Sequence, residues 1–215
     1  SILVIAQKIV SKVENRFVNL KTVKPSALAC EYSLKTDKDP RLVELILGES
    51  KGVIRHRKGV LVVENHQGLI MANAGIDHSN VEQDSDNDWV LLLPENPDKS
   101  AEALHNELLY ITGCKIGIII NDSIGRAWRY GTIGTAIGVA GLSSIIDLRG
   151  RSDLFGNLLR VSEEAIADEL ASAASLIQGQ ADEGLPVVLI EGYQTNSPYV
   201  PASGLIRSEE KDLFR

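Results

Sequence analysis

Nothing in this sequence marks a secreted, disulfide-built or membrane-spanning protein. The only two cysteines, Cys30 and Cys114, lie far apart with no CxxC spacing. That indicates neither a disulfide framework nor a zinc ribbon, and leaves reduced, buried thiols as the expectation. No apolar run reaches the roughly 20 residues that span a bilayer, and nothing resembles a signal peptide. The four histidines, His56, His66, His78 and His105, share no HxxxH spacing, which argues against zinc. There is no GxxxxGKS or GxxxxGKT phosphate loop, and no Ser-His-Asp or Cys-His signature. Positive charge is short as well. Lys and Arg number 22 against 29 Asp and Glu, a net charge of -7, and a nucleic-acid surface needs clustered cations. A cytoplasmic protein with no nucleic-acid and no membrane partner is expected.

What is present suffices for a large core. The chain has 215 residues, 44% of them hydrophobic, enough for one large domain or two packed subdomains. Ile2-Leu3-Val4-Ile5-Ala6 already reads as a buried strand, so a segment ahead of it is expected to be missing from the chain. A polar segment then runs to Pro25, and a short helix is predicted from Ser26 to about Leu34. Asp39-Pro40 starts another helix as N-cap and first helical residue, continuing to about Glu49. From Gly52 to Asn73 the pattern turns to strands, with His66-Gln67-Gly68 as a hairpin turn. Glu82 to Asp88 is an acidic connection, and Trp89 to Leu93 returns to the core. Ser100 is the expected cap of a helix to about Ile111, closed by Gly113. Lys115 to Ile120 is an apolar strand expected to deliver Asp122 at its carboxyl end. The glycine-rich stretch from Gly125 to Gly141 reads as too irregular for a helix and too long for a simple turn. Ser162 is expected to cap the longest helix, to about Gln178, with Glu163 and Glu164 at its positive end. Gly179 stops it, and Gln180 to Gly184 forms an acidic turn before the strand Pro186 to Ile190.

Two segments carry the chemistry. In Ala72-Asn73-Ala74-Gly75-Ile76-Asp77-His78-Ser79-Asn80-Val81, and again in Asn121-Asp122-Ser123-Ile124-Gly125-Arg126-Ala127-Trp128-Arg129, an apolar run stops at an aspartate among small and amide side chains. Such a carboxylate suits a hard cation, and magnesium takes only one or two protein carboxylates while keeping several waters. Two such places suggest a metal-phosphate site. The alternatives stay open: Asp77 as an Asx turn with Ser79 or Asn80 capping the next segment, and Asp122 as a strand-terminating turn. Arg126 and Arg129 add two planar guanidinium groups suited to phosphate or carboxylate. Lys8 and Lys12, after the first strand, are placed to meet a nucleotide or to be solvated helix lysines. His78 is a candidate proton carrier or a surface residue.

With these residues in hand, the chain resembles the coenzyme F420-0:L-glutamate ligase family, GTP-dependent γ-glutamyl ligases that elongate the tail of a deazaflavin cofactor. The likeness runs through the two aspartate segments, Val4-Ile5-Ala6-Gln7-Lys8-Ile9-Val10-Ser11-Lys12, Ala136-Ile137-Gly138-Val139-Ala140-Gly141, Gly179-Gln180-Ala181-Asp182-Glu183-Gly184-Leu185-Pro186 and Leu205-Ile206-Arg207.

The resemblance implies an α+β fold of two intimately packed subdomains with mostly antiparallel sheets, in a single domain over residues 1–215, working as a homodimer. It implies two divalent ions, magnesium or manganese, with Asp77 for one, and Asp122, Ser123 and Gln180 for the pair. Family members often carry threonine at Ser123 and an acid at Gln180. Nucleotide contacts would fall on Gln7, Lys8, Lys12, Asn80 and the turn of Gln178, Gly179, Gln180, Ala181, Asp182, Glu183 and Gly184. The implied substrates are GTP, L-glutamate and F420-0 or its glutamylated forms, with potassium a further candidate ion. Arg126 and Arg129 are candidates for the acidic substrates or phosphates. The alternatives are a ligase of the same family acting on another carboxylate, and a GTP- and metal-binding module without turnover.

Overall fold

A computed structural model describes residues 1–81, 86–194 and 197–213 of the chain. The expected acidic connection from Glu82 to Asp88 therefore lies partly outside the described residues. In chain order the elements are β1 (Ile2–Ala6), α1 (Gln7–Val13), β2 (Phe17–Asn19), α2 (Ala27–Thr36), α3 (Pro40–Gly48), β3 (Ser50–Arg57), β4 (Val60–Asn65) and β5 (Ile70–Ala72). They continue with β6 (Trp89–Leu91), α4 (Pro97–Thr112), β7 (Gly117–Gly125), β8 (Thr132–Ala140), β9 (Ile146–Asp147), β10 (Glu163–Glu164), α5 (Ile166–Gln178) and β11 (Val187–Ile190). The class is α+β with mostly antiparallel pairings, as expected. The chain divides into two compact units. The first holds Ser1–Gln7, Asn96–Ser123 and Gly131–Lys211, and the second holds Lys8–Glu95, Ile124–Tyr130 and the chain end from Asp212.

The first unit is built on a sheet of order β11-β1-β7-β8. Strand β1 runs parallel to β7, from Ile2 opposite Gly117 to Ala6 opposite Asn121, and antiparallel to β11. Val4, Ile118, Ile119 and Ile120 are fully buried, the unbroken apolar run of central strands covered on both faces. Helix α5 turns Ile166, Ala167, Leu170, Ala171 and Ala174 inward, and these join Ile2, Val4, Ile119 and Val139 in one core.

The stretch from Gly125 to Gly141 departs from expectation: nine of its residues form β8. Its glycines are where helix backbones press on the strand. A Cβ at Gly134 would strike the backbone of Ala171, and one at Gly138 the backbone of Pro97. Two helix starts also move. Asn96, not Ser100, caps α4, accepting from the Lys99 amide at 3.1 Å with Pro97 at the first helical position. Ser162 caps nothing: Glu163 and Glu164 pair with Asp147 and Ile146 as a short ribbon, so α5 begins only at Ile166, and Asp168 and Glu169 occupy its first turn. At 13 residues α5 is shorter than the 16-residue α4.

The second unit holds the antiparallel sheet β3-β4-β5 and the pair β2-β6. Asp39 caps α3 as the sequence predicts, accepting from Arg41, and Ser26, read as the first residue of its helix, proves to be the cap of α2, accepting from Ala29. Ala29, Val43, Ile46, Leu61, Val63 and Ala74 form its core. Strand β2, inside the stretch read as polar, is held by pairing Phe17 opposite Leu91 and by the edge-on contact of Phe17 with Trp89. Both cysteines are exposed, contrary to expectation. Cys30 follows the buried Ala29 on the outward side of α2, and Cys114 follows the helix-ending Gly113.

Packing against β8 makes two predictions. Gly138→Ala should lower the unfolding temperature, with a cost of about 1 to 3 kcal/mol because helix backbone must move. Gly52→Ala, in open space, should match or slightly exceed wild type; equal unfolding temperatures for the two variants in calorimetry would refute the packing argument. The second concerns Asp168, whose carboxyl burial pushes up, against the lowering effect of the Ala136 amide it accepts. A raised folded value means that the group's stabilisation is complete below its unfolded value near 3.8 and is lost as pH rises through the folded one. Asp168→Asn keeps the acceptor without the charge. Its unfolding temperature should gain on wild type as pH rises above the unfolded value near 3.8, and a pH-independent gap would contradict this.

Candidate functional site

In the second unit the Asp77 segment is set by the turn after β5. Asn73, Ala74 and Gly75 all take positive φ, at 53°, 55° and 71°, and a Cβ on Gly75 would press into Leu93 and Met71. Only glycine fits there. The turn brings Asp77 against Leu91, where the two backbones exchange hydrogen bonds of 2.9 and 2.8 Å. Lys8 and Lys12, four apart and hence on one face of α1, both reach this segment. Lys8 Nζ lies 3.4 Å from Asp77 Oδ1 and donates to Ser79 Oγ at 3.1 Å. Lys12 Nζ donates to the Asn80 carbonyl at 2.9 Å. Residues some seventy positions apart thus form one cluster of two ammoniums, a carboxylate and a hydroxyl. His78 does not join it: its Nε2 lies 3.1 Å from Asp88 Oδ1, a carboxylate whose other oxygen meets Arg41 at 3.2 Å.

In the first unit Asp122 and Ser123 lie inside β7, which continues past them to Gly125. The expected position at the strand's carboxyl end is thus corrected: pairing outlasts the apolar run. Asp122 Oδ1 accepts the Ser123 amide at 2.8 Å. Their neighbour Asn121 is buried. Gln178 Nε2 donates to the carbonyls of Val4 and Pro186, both at 3.2 Å, so its Oε1 must face Asn121 Nδ2, at 2.6 Å. That orientation leaves the buried Asn121 Oδ1 with no hydrogen-bond partner among the described residues.

The Gln178 side chain is therefore spent on the sheet, and Gln7 too is buried, 3% exposed. After Gly179, at φ 71°, the chain folds back on Glu183. The amides of Ala181, of Glu183 itself and of Gln180 hold the Glu183 carboxyl below the usual carboxylate range, with the Ala181 amide 2.9 Å from its Oε2. Backbone N–H groups converging on one carboxylate form an anion-accepting loop. Gln180 itself donates through Nε2 to Ser175 Oγ at 3.2 Å.

Arg126 and Arg129 are exposed on the loop linking β7 to β8. A cleft that the sequence did not suggest opens in the second unit, lined by Arg16, Glu49, His66, Gln67, Pro94 and Glu95. Arg16 binds Glu49 at 3.1 Å and the Leu93 carbonyl at 2.8 Å. No local motif announces it, since its residues are scattered between positions 16 and 95.

Whether a divalent cation suits these groups is a question of donors. Among the described residues no three His, Cys, Asp or Glu side chains form a ready-made cage. Asp77, Asp122, Ser123 and Gln180 nonetheless offer oxygen only, and the Lys8 ammonium already rests against Asp77 where positive charge is favoured. That donor chemistry fits a hard cation that keeps much of its water.

Fold and site together define an α+β protein whose two units each present oxygen donors beside groups that accept anions. The family model for F420-0:gamma-glutamyl ligase matches residues 1–192. A Methanothermobacter thermautotrophicus protein named coenzyme F420:L-glutamate ligase is 46% identical over the whole chain and 84% of its own length. Relatives with the same name from Methanocaldococcus jannaschii and Archaeoglobus fulgidus are 43% and 38% identical, again over the whole chain and 84% of their length. The chain belongs to the F420-0:gamma-glutamyl ligase family, and so to the ligases. Among the described residues no helix is long and apolar enough to cross a membrane.

The Gln178 bridge yields a prediction about the anion-accepting loop. Gln178→Glu would turn an oxygen toward the carbonyls of Val4 and Pro186, and Gln178→Leu would remove the donor to both carbonyls and the acceptor of the Asn121 amide. Each should destabilise the protein by about 1 to 3 kcal/mol in denaturant titration. Wild-type midpoints in both variants would show that the bridge does not hold the loop.

Proposed function

We propose that this protein is a GTP- and divalent-metal-dependent γ-glutamyl ligase that joins L-glutamate to the deazaflavin precursor F420-0. The reading is carried by the match of the whole chain to proteins bearing that ligase name. The geometry supports it in three places. Lys8 and Lys12 are gathered on the Asp77 segment, as charge neutralisation of a triphosphate needs. The amides of Gln180, Ala181 and Glu183 already accept an anion, so the turn from Gln178 to Gly184 is suited to phosphate. Asp77 for one ion, and Asp122, Ser123 and Gln180 for the other, supply hard donors for magnesium or manganese.

When bound, such cations draw negative charge off the phosphate oxygens and align them for in-line transfer. The chain's own residues do the rest by position. Lys8, Lys12 and the Asn80 backbone meet the nucleotide, and Arg126 and Arg129 take acidic groups of the substrates. A carboxylate at neutral pH is a very poor acyl donor, so the acceptor's terminal carboxylate oxygen attacks the γ-phosphorus and GDP leaves. The glutamate amine then attacks the acyl carbon, phosphate departs, and the nitrogen gives up a proton. No covalent protein nucleophile is required, because positioning and charge neutralisation supply the rate. The working unit is a homodimer.

Incubation with GTP, glutamate, F420-0 and manganese, followed by mass spectrometry, tests this directly: GDP must form and the acceptor must gain glutamate. Tight GTP binding without GDP release would instead identify a nucleotide-binding module. Asp77→Ala and Asp122→Ala should each cut metal-dependent turnover by about a hundredfold or more with little change in unfolding temperature. A variant that retains the wild-type rate would remove its aspartate from the site.

A further inference from the structure

The loop that links β7 to β8 carries two large aromatic side chains that the ligase chemistry does not use. Trp128 is 87% exposed and Tyr130 is wholly exposed, and they alternate with Arg126 and Arg129, also exposed. Each aromatic side chain carries about 150 to 250 Å² of surface whose burial is favourable. Trp128 also sits at φ 65°. For a bulky residue that left-handed conformation costs on the order of 1 to 3 kcal/mol, and such cost is kept where local geometry serves a site. From Ser123 to Thr135 there is no acidic residue, so the loop is a positive spot on a chain of net charge -7. Arg129 has no hydrogen bond or ion pair among the described residues.

We propose that this loop is the acceptor-recognition site, with Trp128 and Tyr130 taking the face of a planar aromatic ring and Arg126 and Arg129 taking the anionic groups of its tail. The assignment rests on the reading that the acceptor is a deazaflavin. Alternating rings and guanidinium groups match a ligand that is flat at one end and anionic at the other. The two rings together offer about 400 Å², half of the roughly 800 Å² that each partner buries in a stable protein interface. The patch therefore fits a small molecule better than a protein.

The chain has two tryptophans, and Trp89 packs half-buried against Phe17, so quenching of tryptophan emission by F420-0 reports on Trp128. Wild type should be quenched on binding. Trp128→Ala and Arg129→Ala should each weaken F420-0 binding, measured by calorimetry, about tenfold or more. They should raise the KM for F420-0 by a similar factor and leave the KM for GTP unchanged, while Trp128→Phe retains most of the affinity. Flavin mononucleotide should bind wild type in a Trp128-dependent manner, and inorganic phosphate should not displace it at equal concentration. If wild type ligates F420-0 but Trp128→Ala and Arg129→Ala bind it as tightly as wild type, the loop assignment falls and the ligase reading stands. If F420-0 binds through Trp128 and no glutamate is added, the ligase reading falls and the loop assignment stands. If Trp128→Ala instead changes the sedimentation of the protein, the loop is a subunit contact and the assignment is wrong.

Discussion

Strand β8 is where the first unit is held together, because two helices touch it backbone to backbone. Gly134 and Gly138 leave no side chain between the strand and the helices, and the first-turn aspartates of those helices hydrogen-bond to it. Asp98 of α4 accepts the Val139 amide and Asp168 of α5 accepts the Ala136 amide, each at 2.9 Å. Ser172 adds a bond to the Gly134 carbonyl at 2.7 Å. An end strand of a sheet has polar backbone groups that need partners, and here helix side chains supply some of them. Asp98 also accepts the amides of Ala202 and Ser203 at 2.9 and 3.1 Å, so one carboxylate ties helix, strand and the 3-10 turn Ala202–Leu205 together.

In the second unit the Asp77 segment depends on a different device, the left-handed turn at Asn73, Ala74 and Gly75. Without it the chain would leave β5 straight, and Asp77 would not pair with Leu91 or meet Lys8. Both places use glycine for a steric reason, close approach at Gly134 and Gly138 and positive φ with tight packing at Gly75.

Several features were legible along the chain. The cap at Asp39, the terminating Gly113 and Gly179, and the apolar strands read correctly because each signal is local: a side chain meets a backbone amide two residues away, or a glycine takes an unusual φ. Where several signals competed, the reading failed. Ser100 and Ser162 were plausible caps, yet Asn96 preceded one helix with a proline beside it, and ribbon pairing with Ile146 and Asp147 claimed the residues after the other. Strand β8 was hidden because its glycines look like flexibility when taken alone. Their reason is the helix backbones across from them, and no window of sequence contains those. The cysteine expectation failed similarly, since the side of a helix that faces water is set by what packs on the opposite side.

The sequence by itself determined the family, through long motifs whose order and residue types survive without coordinates. Only tertiary structure decided which groups meet. Lys8 and Lys12 join Asp77, Ser79 and Asn80 across some seventy residues, and the Gln178 amide bridges Val4, Pro186 and Asn121. The physical reason is distance along the chain: capping and periodicity act within a turn or two, whereas ion pairs and buried amides depend on how separate segments pack.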